Sequence, residues 1–267
     1  MKHAIITGGS SGIGKAVAKL LVRRGISVSL IARDRPKLES ARQEIKEVAD
    51  RSGIDVLIYS ADVSQQSEIT AAINNAIAAL GTPQLLVTSA GIAHPGYFSE
   101  IPVEIFEQTM AIDYFGTLYA IRAVLPAMEK AGRGNIALIS SGAGLIGLYG
   151  YSAYCPPKFA LRGLAESLRG ELKPKGIGVT IIYPPDTDTP QLAAENKIKP
   201  AETKKITATA KVWTATAVAE EIVKGIEKRR FAIAPGMELT IVNRLHSLIS
   251  PLLNWYFDRI VRQINNE

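Results

Sequence analysis

Short apolar runs alternate with amphipathic stretches along most of this 267-residue chain. The runs have the length of β-strands, whereas the stretches between them repeat apolar positions at helical spacing. The predicted strands lie at residues 4–6, 26–32, 56–59, 85–87, 136–139 and 179–183. The first predicted helix begins at Ile13, and the others lie at residues 35–52, 68–80, 103–130, 161–172 and 215–230. This alternation predicts an α/β fold, a doubly wound parallel sheet with helices on both faces.

Length and composition suit one large domain. Hydrophobic residues make up 47% of the chain, enough for a substantial core. The sequence shows no internal repeat and no second domain, so residues 1–235 are predicted to form a single dinucleotide-binding catalytic domain. The first residues are too short and too soon glycine-rich for a signal peptide, and no apolar run reaches the length of a membrane-spanning helix.

The first predicted strand ends in a glycine-rich turn that leads into a helix. Gly8 would allow the tight turn, and Gly12 would let backbone amides approach a pyrophosphate. Gly14 would let the helix pack closely on the strand, and the helix N-terminus would face the phosphates. The spacing is G-x-x-x-G-x-G rather than G-x-G-x-x-G. Strand, turn and helix together predict a Rossmann-like dinucleotide site.

Arg33 follows the second strand, where NAD-binding chains often place a carboxylate for the ribose 2′-hydroxyl. A guanidinium there can pair bidentately with a 2′-phosphate. Lys37 adds positive charge nearby and Ser11 could donate a further hydrogen bond. We therefore predict NADPH rather than NADH, with an ordinary solvent-facing arginine as the alternative. Asp62, after the third strand, could accept from the adenine amino group or could only cap a helix.

Tyr154 and Lys158 are four positions apart, so on a helix they would share a face. A phenol titrates near ~10, and a neighbouring ammonium favours the phenolate and lowers that pKa. Ser141 lies upstream and could hold a carbonyl oxygen while the tyrosine protonates it. This set suits reduction of a ketone, or the reverse oxidation, if a cofactor supplies hydride. Pro156 and Pro157 place Tyr154 at the start of its helix or just outside it, because proline is tolerated only in a first turn.

The sequence gives little indication of nucleic-acid binding, metal binding or cysteine chemistry. The net charge of +6 arises from scattered Lys and Arg residues, and no zinc finger or aromatic-basic stripe indicates nucleic-acid binding. The three histidines have no metal-ligand spacing, so no metal is predicted. The single cysteine, Cys155, excludes an intrachain disulfide and suits a reducing compartment. No histidine is near it in sequence, which favours a packing residue over a nucleophile.

Two segments suggest contact with a substrate. Residues 187–213 form a long polar stretch, which is predicted to be a functional loop that covers the substrate as a lid, with a disordered loop as the alternative. Residues 236–267 are dense in apolar and aromatic residues flanked by arginines, and Pro251 prevents one straight spanning helix. This segment could lie in a membrane interface, or it could pack on the domain or on a second subunit.

As a set and in this order, several segments resemble the short-chain dehydrogenase/reductase family over about residues 3–235. They are Thr7 to Gly14, Asp62-Val63, Ala90-Gly91, Ser141, Tyr154 with Lys158, and Pro184 to Thr189. The resemblance implies that Tyr154 is the general acid, that Ser141 orients the substrate oxygen, and that Lys158 holds the nicotinamide ribose. The cofactor-binding residues implied are Gly8, Ser10, Ser11, Gly12, Ile13, Gly14, Arg33, Lys37, Asp62, Val63, Ala90, Gly91, Tyr154, Lys158, Pro184, Thr187 and Thr189.

The sequence departs from the family pattern at two further places. Thr88-Ser89 precede Ala90-Gly91 where the family usually has two asparagines. Asp113 stands where a catalytic asparagine often helps a water reach the lysine. Its added carboxylate could pair with Lys158 and weaken the effect of the ammonium on the tyrosine, so we expect activity with a higher apparent pKa.

A narrower resemblance indicates the substrate class. Tyr183 to Pro190, Glu195-Asn196, Lys199-Pro200 and Lys158 to Glu166 resemble the 3-ketodihydrosphingosine reductases. The implied reaction is NADPH-dependent reduction of the 3-keto group of a long-chain sphingoid base. Reduction of another hydrophobic ketone, such as a 3-oxoacyl chain or a steroid, and a non-catalytic NADPH-binding sensor are the alternatives. By the same resemblance we expect a homo-oligomer. We also expect a cytoplasmic protein that could associate with the cytoplasmic face of a membrane through residues 236–267.

Overall fold

In the computed structural model, which describes residues 2–49, 53–208 and 210–265, parallel strands form one central sheet. The strands in chain order are β1 (His3–Thr7), β2 (Ser27–Ala32), β3 (Val56–Ser60), β4 (Leu85–Thr88), β5 (Gly134–Ile139), β6 (Ile177–Ile182), β7 (Thr187–Asp188), β8 (Trp213–Thr214) and β9 (Ala232–Ile233). The central sheet has the order β3-β2-β1-β4-β5-β6-β9, and β7 pairs separately with β8. The strand order reverses between β1 and β4, where doubly wound sheets bind ligands.

Helices connect these strands and cover the sheet. They are α1 (Gly12–Arg23), α2 (Arg35–Lys46), α3 (Gln66–Leu80), α4 (Val103–Thr109), α5 (Gly116–Ala131), α6 (Cys155–Leu172), α7 (Pro190–Ile198), α8 (Ala201–Thr207), α9 (Ala215–Glu227) and α10 (Met237–Asn265). One buried cluster joins α1, α2 and α9 to one face of the sheet, and another joins α3, α5 and α6 to the other face. The predicted α/β class with helices on both faces is therefore confirmed.

The predicted helix over residues 103–130 is present, but it is not regular. A π-helical turn, Met110–Phe115, separates α4 from α5. A π turn holds one more residue than an α turn and is common at functional sites. Here it contains Asp113, which is completely buried. The irregular turn therefore carries a buried carboxylate.

Two helices end earlier than predicted. Helix α2 ends at Lys46 rather than residue 52; Glu47 and Val48 form a turn, and residues 50–52 lie outside the described part. Helix α9 ends at Glu227 rather than residue 230, because Arg229 adopts φ of 50°. The φ of Arg229 lies in the left-handed region, which a right-handed helix cannot continue through.

Residues 187–213 are not an extended loop. They fold into β7, α7, α8 and β8. Thr189 accepts a hydrogen bond from the Leu192 amide and so caps α7, with Pro190 at its first position. Pro200 immediately precedes α8. A capping threonine followed by proline is a helix-start signal that was present in the sequence.

The C-terminal segment is a long helix, α10, that packs near α8. It bends at Leu245, whose φ and ψ are −121° and 16°, rather than at Pro251. Its inner face includes buried Ile260 and partly buried Val242, whereas Leu248 and Leu252 are exposed on the opposite side. Across the residues described, no helix combines the length and apolarity needed to span a bilayer.

Candidate active site

A cavity of about 1180 Å³ runs along the carboxyl edge of the sheet, from the glycine-rich turn to the inner face of α10. The predicted site residues that line it are Gly8, Ser10, Ser11, Gly12, Ile13, Arg33, Lys37, Val63, Ala90, Gly91, Ser141, Tyr154, Lys158, Pro184, Thr187 and Thr189. Gly14, Asp62 and Asp113 are the predicted residues that do not line it. The cavity therefore brings most of the predicted set together.

The glycine-rich turn forms one end of this cavity. Gly8 and Gly12 have φ of 67° and 52°, which only glycine adopts without strain. Gly14 does not line the cavity but packs against the backbone of the turn. A Cβ there would lie 2.5 Å from the Gly8 carbonyl oxygen. Ser11 precedes α1 without capping it through its side chain, and the first turn of α1 has no acidic residue. The amides at this helix start are thus free to bind an anion.

Charged side chains from the end of β2 border the same region. The Arg33 guanidinium is more than half exposed and lies 3.8 Å from the Asp62 carboxylate. Asp62 accepts hydrogen bonds from the Ser64 amide and hydroxyl, which is a local turn outside the cavity. The Asp34 carboxylate accepts from the Lys37 amide at the start of α2. Arg33 and Lys37 are the cations placed to meet a phosphate here.

Tyr154, Lys158 and Ser141 form the centre of the cavity wall. Tyr154 is the residue immediately before α6, as the two prolines require, and it is buried. The Lys158 ammonium lies 5.3 Å from the centre of the Tyr154 ring. Ser141 lies two residues after β5, and its hydroxyl accepts a hydrogen bond from the Ala143 amide. The start of α6 is held to β5 because the Ser140 hydroxyl donates to the Lys158 carbonyl at 2.9 Å.

Asp113 lies behind Lys158 rather than in the cavity. Its Oδ2 atom is 3.1 Å from the Lys158 ammonium, and its Oδ1 accepts from the Ile92 amide at 2.8 Å. Gly91 lies close beside this pair, because a Cβ there would be 3.3 Å from Oδ2 and 3.4 Å from the Lys158 ammonium. Burial raises the pKa of Asp113 although Lys158 opposes the shift. Burial lowers the pKa of Lys158, but the Asp113 and Tyr154 charges outweigh it and keep the lysine protonated.

The balance of charges at Tyr154 differs from the sequence prediction. Burial raises the pKa of Tyr154 to about 12, and the Asp113 and Glu195 carboxylates add to the rise. The Lys158 ammonium and a hydrogen bond from Ser141 lower it, but they do not prevail. The expectation of a lowered pKa is therefore wrong. The tyrosine is held as a phenol, which is the form that can donate a proton.

Backbone groups shape the wall next to Tyr154. The Ser89 and Ala90 amides both donate to the Thr7 hydroxyl, so this segment works through its backbone whatever side chains precede Ala90. The Pro184 carbonyl accepts from the Gly142 amide, which joins the ends of β5 and β6. The Thr187 hydroxyl donates to the Pro185 carbonyl. These contacts fix the edge of the cavity that Thr189 completes.

The far end of the cavity contains residues that sequence reasoning missed. Tyr151 and Glu195 line it, and the Tyr151 hydroxyl donates to the Glu195 carboxylate at 2.6 Å. The inner face of α10 contributes Leu253, Tyr256 and Phe257. Residues 187–213 were predicted as a covering loop, but no sequence signal placed Glu195 inside. Burial raises the pKa of the Cys155 thiol, which favours its role in packing.

The donor set fits a nicotinamide dinucleotide. The uncapped start of α1 and the glycine cradle suit a pyrophosphate, and Arg33 with Lys37 suits a further phosphate. Lys158 would hold the nicotinamide ribose, and Tyr154 would face the oxygen of the substrate. Within the described residues, no group of three or more His, Cys, Asp or Glu could hold a metal ion.

Comparison with known proteins agrees with this geometry. The profile described as short chain dehydrogenase matches residues 2–200, about three quarters of the chain. The chain belongs to the short-chain dehydrogenase family, a class of oxidoreductases. Among its curated relatives, the 3-dehydrosphinganine reductase of Danio rerio is 43% identical over 251 residues, 94% of this chain and 76% of that protein. The 3-ketodihydrosphingosine reductase of Dictyostelium discoideum is 41% identical, over 98% of this chain and 83% of that protein.

Solved structures share the fold. A short-chain dehydrogenase/reductase from Burkholderia phymatum in complex with NAD has a TM-score of 0.82 at 24% identity, covering 94% of each chain. A short-chain dehydrogenase from Sphingobium yanoikuyae in complex with NADPH has a TM-score of 0.80 at 24% identity, covering 95% of this chain and 96% of that one.

Proposed function

We propose that the protein reduces the 3-keto group of 3-ketodihydrosphingosine to the alcohol with NADPH, a step of sphingolipid biosynthesis. The observation that carries the proposal is the position of Tyr154. A buried, protonated phenol stands beside Ser141 and Lys158 in the middle of a cavity, with a dinucleotide cradle at one end and apolar side chains at the other. Relatives 41–43% identical over most of this chain are named reductases of this substrate.

The residues divide the work of ketone reduction. NADPH, when bound, supplies the hydride to the carbonyl carbon. The Ser141 hydroxyl holds the carbonyl oxygen, and the Tyr154 hydroxyl donates a hydrogen bond and then its proton to that oxygen. The Lys158 ammonium stabilises the phenolate that remains, because it lies against the same ring. Asp113 positions that ammonium from behind.

The choice of NADPH over NADH rests on Arg33. Its exposed guanidinium follows β2, where an adenosine 2′-phosphate would lie. Asp34, the carboxylate next to it in the cavity wall, accepts from the Lys37 amide and lies 3.1 Å from the Lys37 ammonium, and Asp62 accepts from Ser64. Arg33 would exchange its 3.8 Å contact with Asp62 for a bidentate pair with the phosphate.

A long alkyl chain suits the far end of the cavity. Leu253, Tyr256 and Phe257 of α10 contribute apolar surface there. Residues 187–213 pack over the same region and are proposed as the lid of the catalytic domain, 1–235. Residues 236–267 are proposed as a separate segment that completes the substrate end. These two elements would shield a chain that water does not favour.

The outer face of α10 supports contact with a lipid bilayer surface. Leu245, Leu248, Leu252 and Trp255 recur at helical spacing and are all exposed. The Arg259 guanidinium lies 5.8 Å from the centre of the Trp255 ring, an arrangement suited to the headgroup level. The same helix lines the cavity, so a lipid could pass from bilayer to site. We expect a cytoplasmic protein that binds this surface peripherally and that forms a homo-oligomer.

The direct test is oxidation of NADPH by the purified protein with 3-ketosphinganine. Parallel assays would use a 3-oxoacyl thioester and a 3-ketosteroid as competing hydrophobic ketones. We expect kcat/KM for the sphingoid ketone to exceed both. A preference for the thioester or the steroid would assign the protein that substrate instead. If NADPH binds but no ketone is reduced, the protein would be a non-catalytic NADPH-binding sensor.

A further inference from the structure

Glu195 is a buried carboxylate at the substrate end of the cavity. Only 7% of the residue is exposed, yet it belongs to the cavity wall. Its Oε2 atom accepts a hydrogen bond from the Tyr151 hydroxyl at 2.6 Å. Its Oε1 atom accepts one from the side-chain amide of Gln191 at 2.9 Å. Both donors are neutral. Across the described part of the chain, no basic side chain lies within 4.0 Å of this carboxylate.

The nearest candidate cation is engaged elsewhere. Lys199 is one helical turn after Glu195 and is also buried. Its ammonium lies 3.9 Å from the Asp186 carboxylate and 6.0 Å from the centre of the Tyr151 ring. Asp186, another acid that lines the cavity, is therefore paired. A buried carboxylate with neutral partners is costly, and a cationic group would relieve that cost. Two hydrogen bonds leave the carboxylate with unused acceptor positions.

Glu195 is also close to the reacting centre. The Tyr151 ring that carries its hydrogen bond packs against the Tyr154 ring, with centroids 5.7 Å apart. Its negative charge is near enough to raise the pKa of Tyr154. A cation bound to Glu195 would offset that charge and make Tyr154 a stronger acid. Binding of the cation and delivery of the proton would thus be coupled.

We propose that Glu195 is a binding residue for a primary ammonium group on the carbon next to the reacting ketone. This inference rests on the proposed function, since 3-ketodihydrosphingosine carries an amine at that carbon. The carbonyl oxygen would lie at Ser141 and Tyr154, and the ammonium, on the adjacent carbon, would lie against Glu195. Tyr151 and Gln191 hold the carboxylate in place. The site would then select amino ketones over plain long-chain ketones.

Glu202 provides a matched control. It is a buried carboxylate on α8 that accepts from the Tyr97 and Tyr149 hydroxyls, so its surroundings resemble those of Glu195. It does not line the cavity. Replacing it with glutamine alters the same chemistry in the same region without touching the substrate. Any general loss of packing should therefore appear in Glu202→Gln as well.

The experiment compares 3-ketosphinganine with 1-hydroxyoctadecan-3-one, which lacks only the amine. We expect the wild type to prefer the amino ketone. Glu195→Gln should lower the ratio of kcat/KM for the amino ketone to kcat/KM for the plain ketone by about tenfold or more, the scale of a lost hydrogen bond to a charged group. Glu195→Asp should restore part of the preference, and Glu202→Gln should keep it all.

Equal losses on both ketones in Glu195→Gln would overturn the inference and assign Glu195 a structural role. A wild type that reduces both ketones equally well would overturn it without touching the proposed reaction. A wild type that reduces only the plain ketone would remove the proposed function and the inference together. If Glu195→Gln does not fold, Glu195→Asp and the wild-type preference still decide the question.

Discussion

The Lys158 ammonium lies 3.1 Å from the Asp113 carboxylate, and both side chains are buried beneath the proposed active site. The contact gives Tyr154 a neighbour whose positive charge is largely offset. Together with burial, this explains why the phenol keeps a pKa of about 12. The site is built to retain a proton until a ketone is in place.

Asp113→Asn should lower the pKa of Tyr154, because it removes a negative charge that raises this pKa. Ketone reduction uses the phenol, so its rate is constant below the pKa of Tyr154 and falls above it. The alkaline fall should therefore move to lower pH, by about one unit for a nearby charge. The profile of kcat against pH measures this, with Glu202→Gln as the control. An unmoved profile would refute the coupling.

Tyr154→Phe should reduce kcat about 10²- to 10⁴-fold, the contribution typical of a general acid. The ring is retained, so packing against Tyr151 and contact with Lys158 should persist. The dissociation constant of NADPH, measured from the fluorescence of the cofactor, should change little. A variant that turns over at the wild-type rate would exclude Tyr154 as the proton donor.

Arg33→Ala should raise KM for NADPH about 10- to 100-fold, the scale of a lost hydrogen bond between charged groups. KM for NADH should stay nearly constant, because that cofactor has no 2′-phosphate. Arg35→Ala is the matched control, since Arg35 is exposed and contacts Glu39 on its own helix. Equal effects of both variants would indicate a general change in surface charge rather than phosphate recognition.

The double variant Leu248→Asp, Leu252→Asp should bind phosphatidylcholine–phosphatidylserine vesicles more than tenfold more weakly. Burying one leucine side chain contributes about 1.5–3 kcal/mol of free energy, and the variant loses two. Phe98→Asp is the control, because Phe98 is 74% exposed, close to the 79% of Leu248, but lies elsewhere. Vesicle flotation is the measurement. Unchanged flotation of the double variant would leave the outer face of α10 without a bilayer role.

Gly14→Ala should destabilise the protein and weaken NADPH binding, because its Cβ would lie 2.5 Å from the Gly8 carbonyl. Gly163→Ala should instead stabilise the protein by about 0.5–1 kcal/mol, since a Cβ there meets nothing within 4 Å inside α6. Thermal unfolding of both variants provides the comparison. Equal effects would contradict the proposed close packing of α1 on the turn.

Much of the fold could be predicted because apolar periodicity and glycine turns are local signals. Six strands and the position of Tyr154 before its helix follow from such signals. The two-residue strand β9 could not be found, since it pairs with β6 through tertiary contact alone. The upward effect of Asp113 on the Tyr154 pKa was expected, but the contributions of burial and of Glu195, which is 41 residues away in sequence, could not be read from the sequence.

The π turn at Met110–Phe115 makes the exact residue count of this segment part of the active site. Deleting one residue there would let the turn close into an ordinary α-helix. The flanking helices would keep their orientation, because the bulge absorbs the extra residue, but residues inside the turn would shift by up to one position, about 100° around the helix axis. Homologous chains that keep Asp113 against their lysine should therefore tolerate substitutions in this segment far better than single-residue gaps.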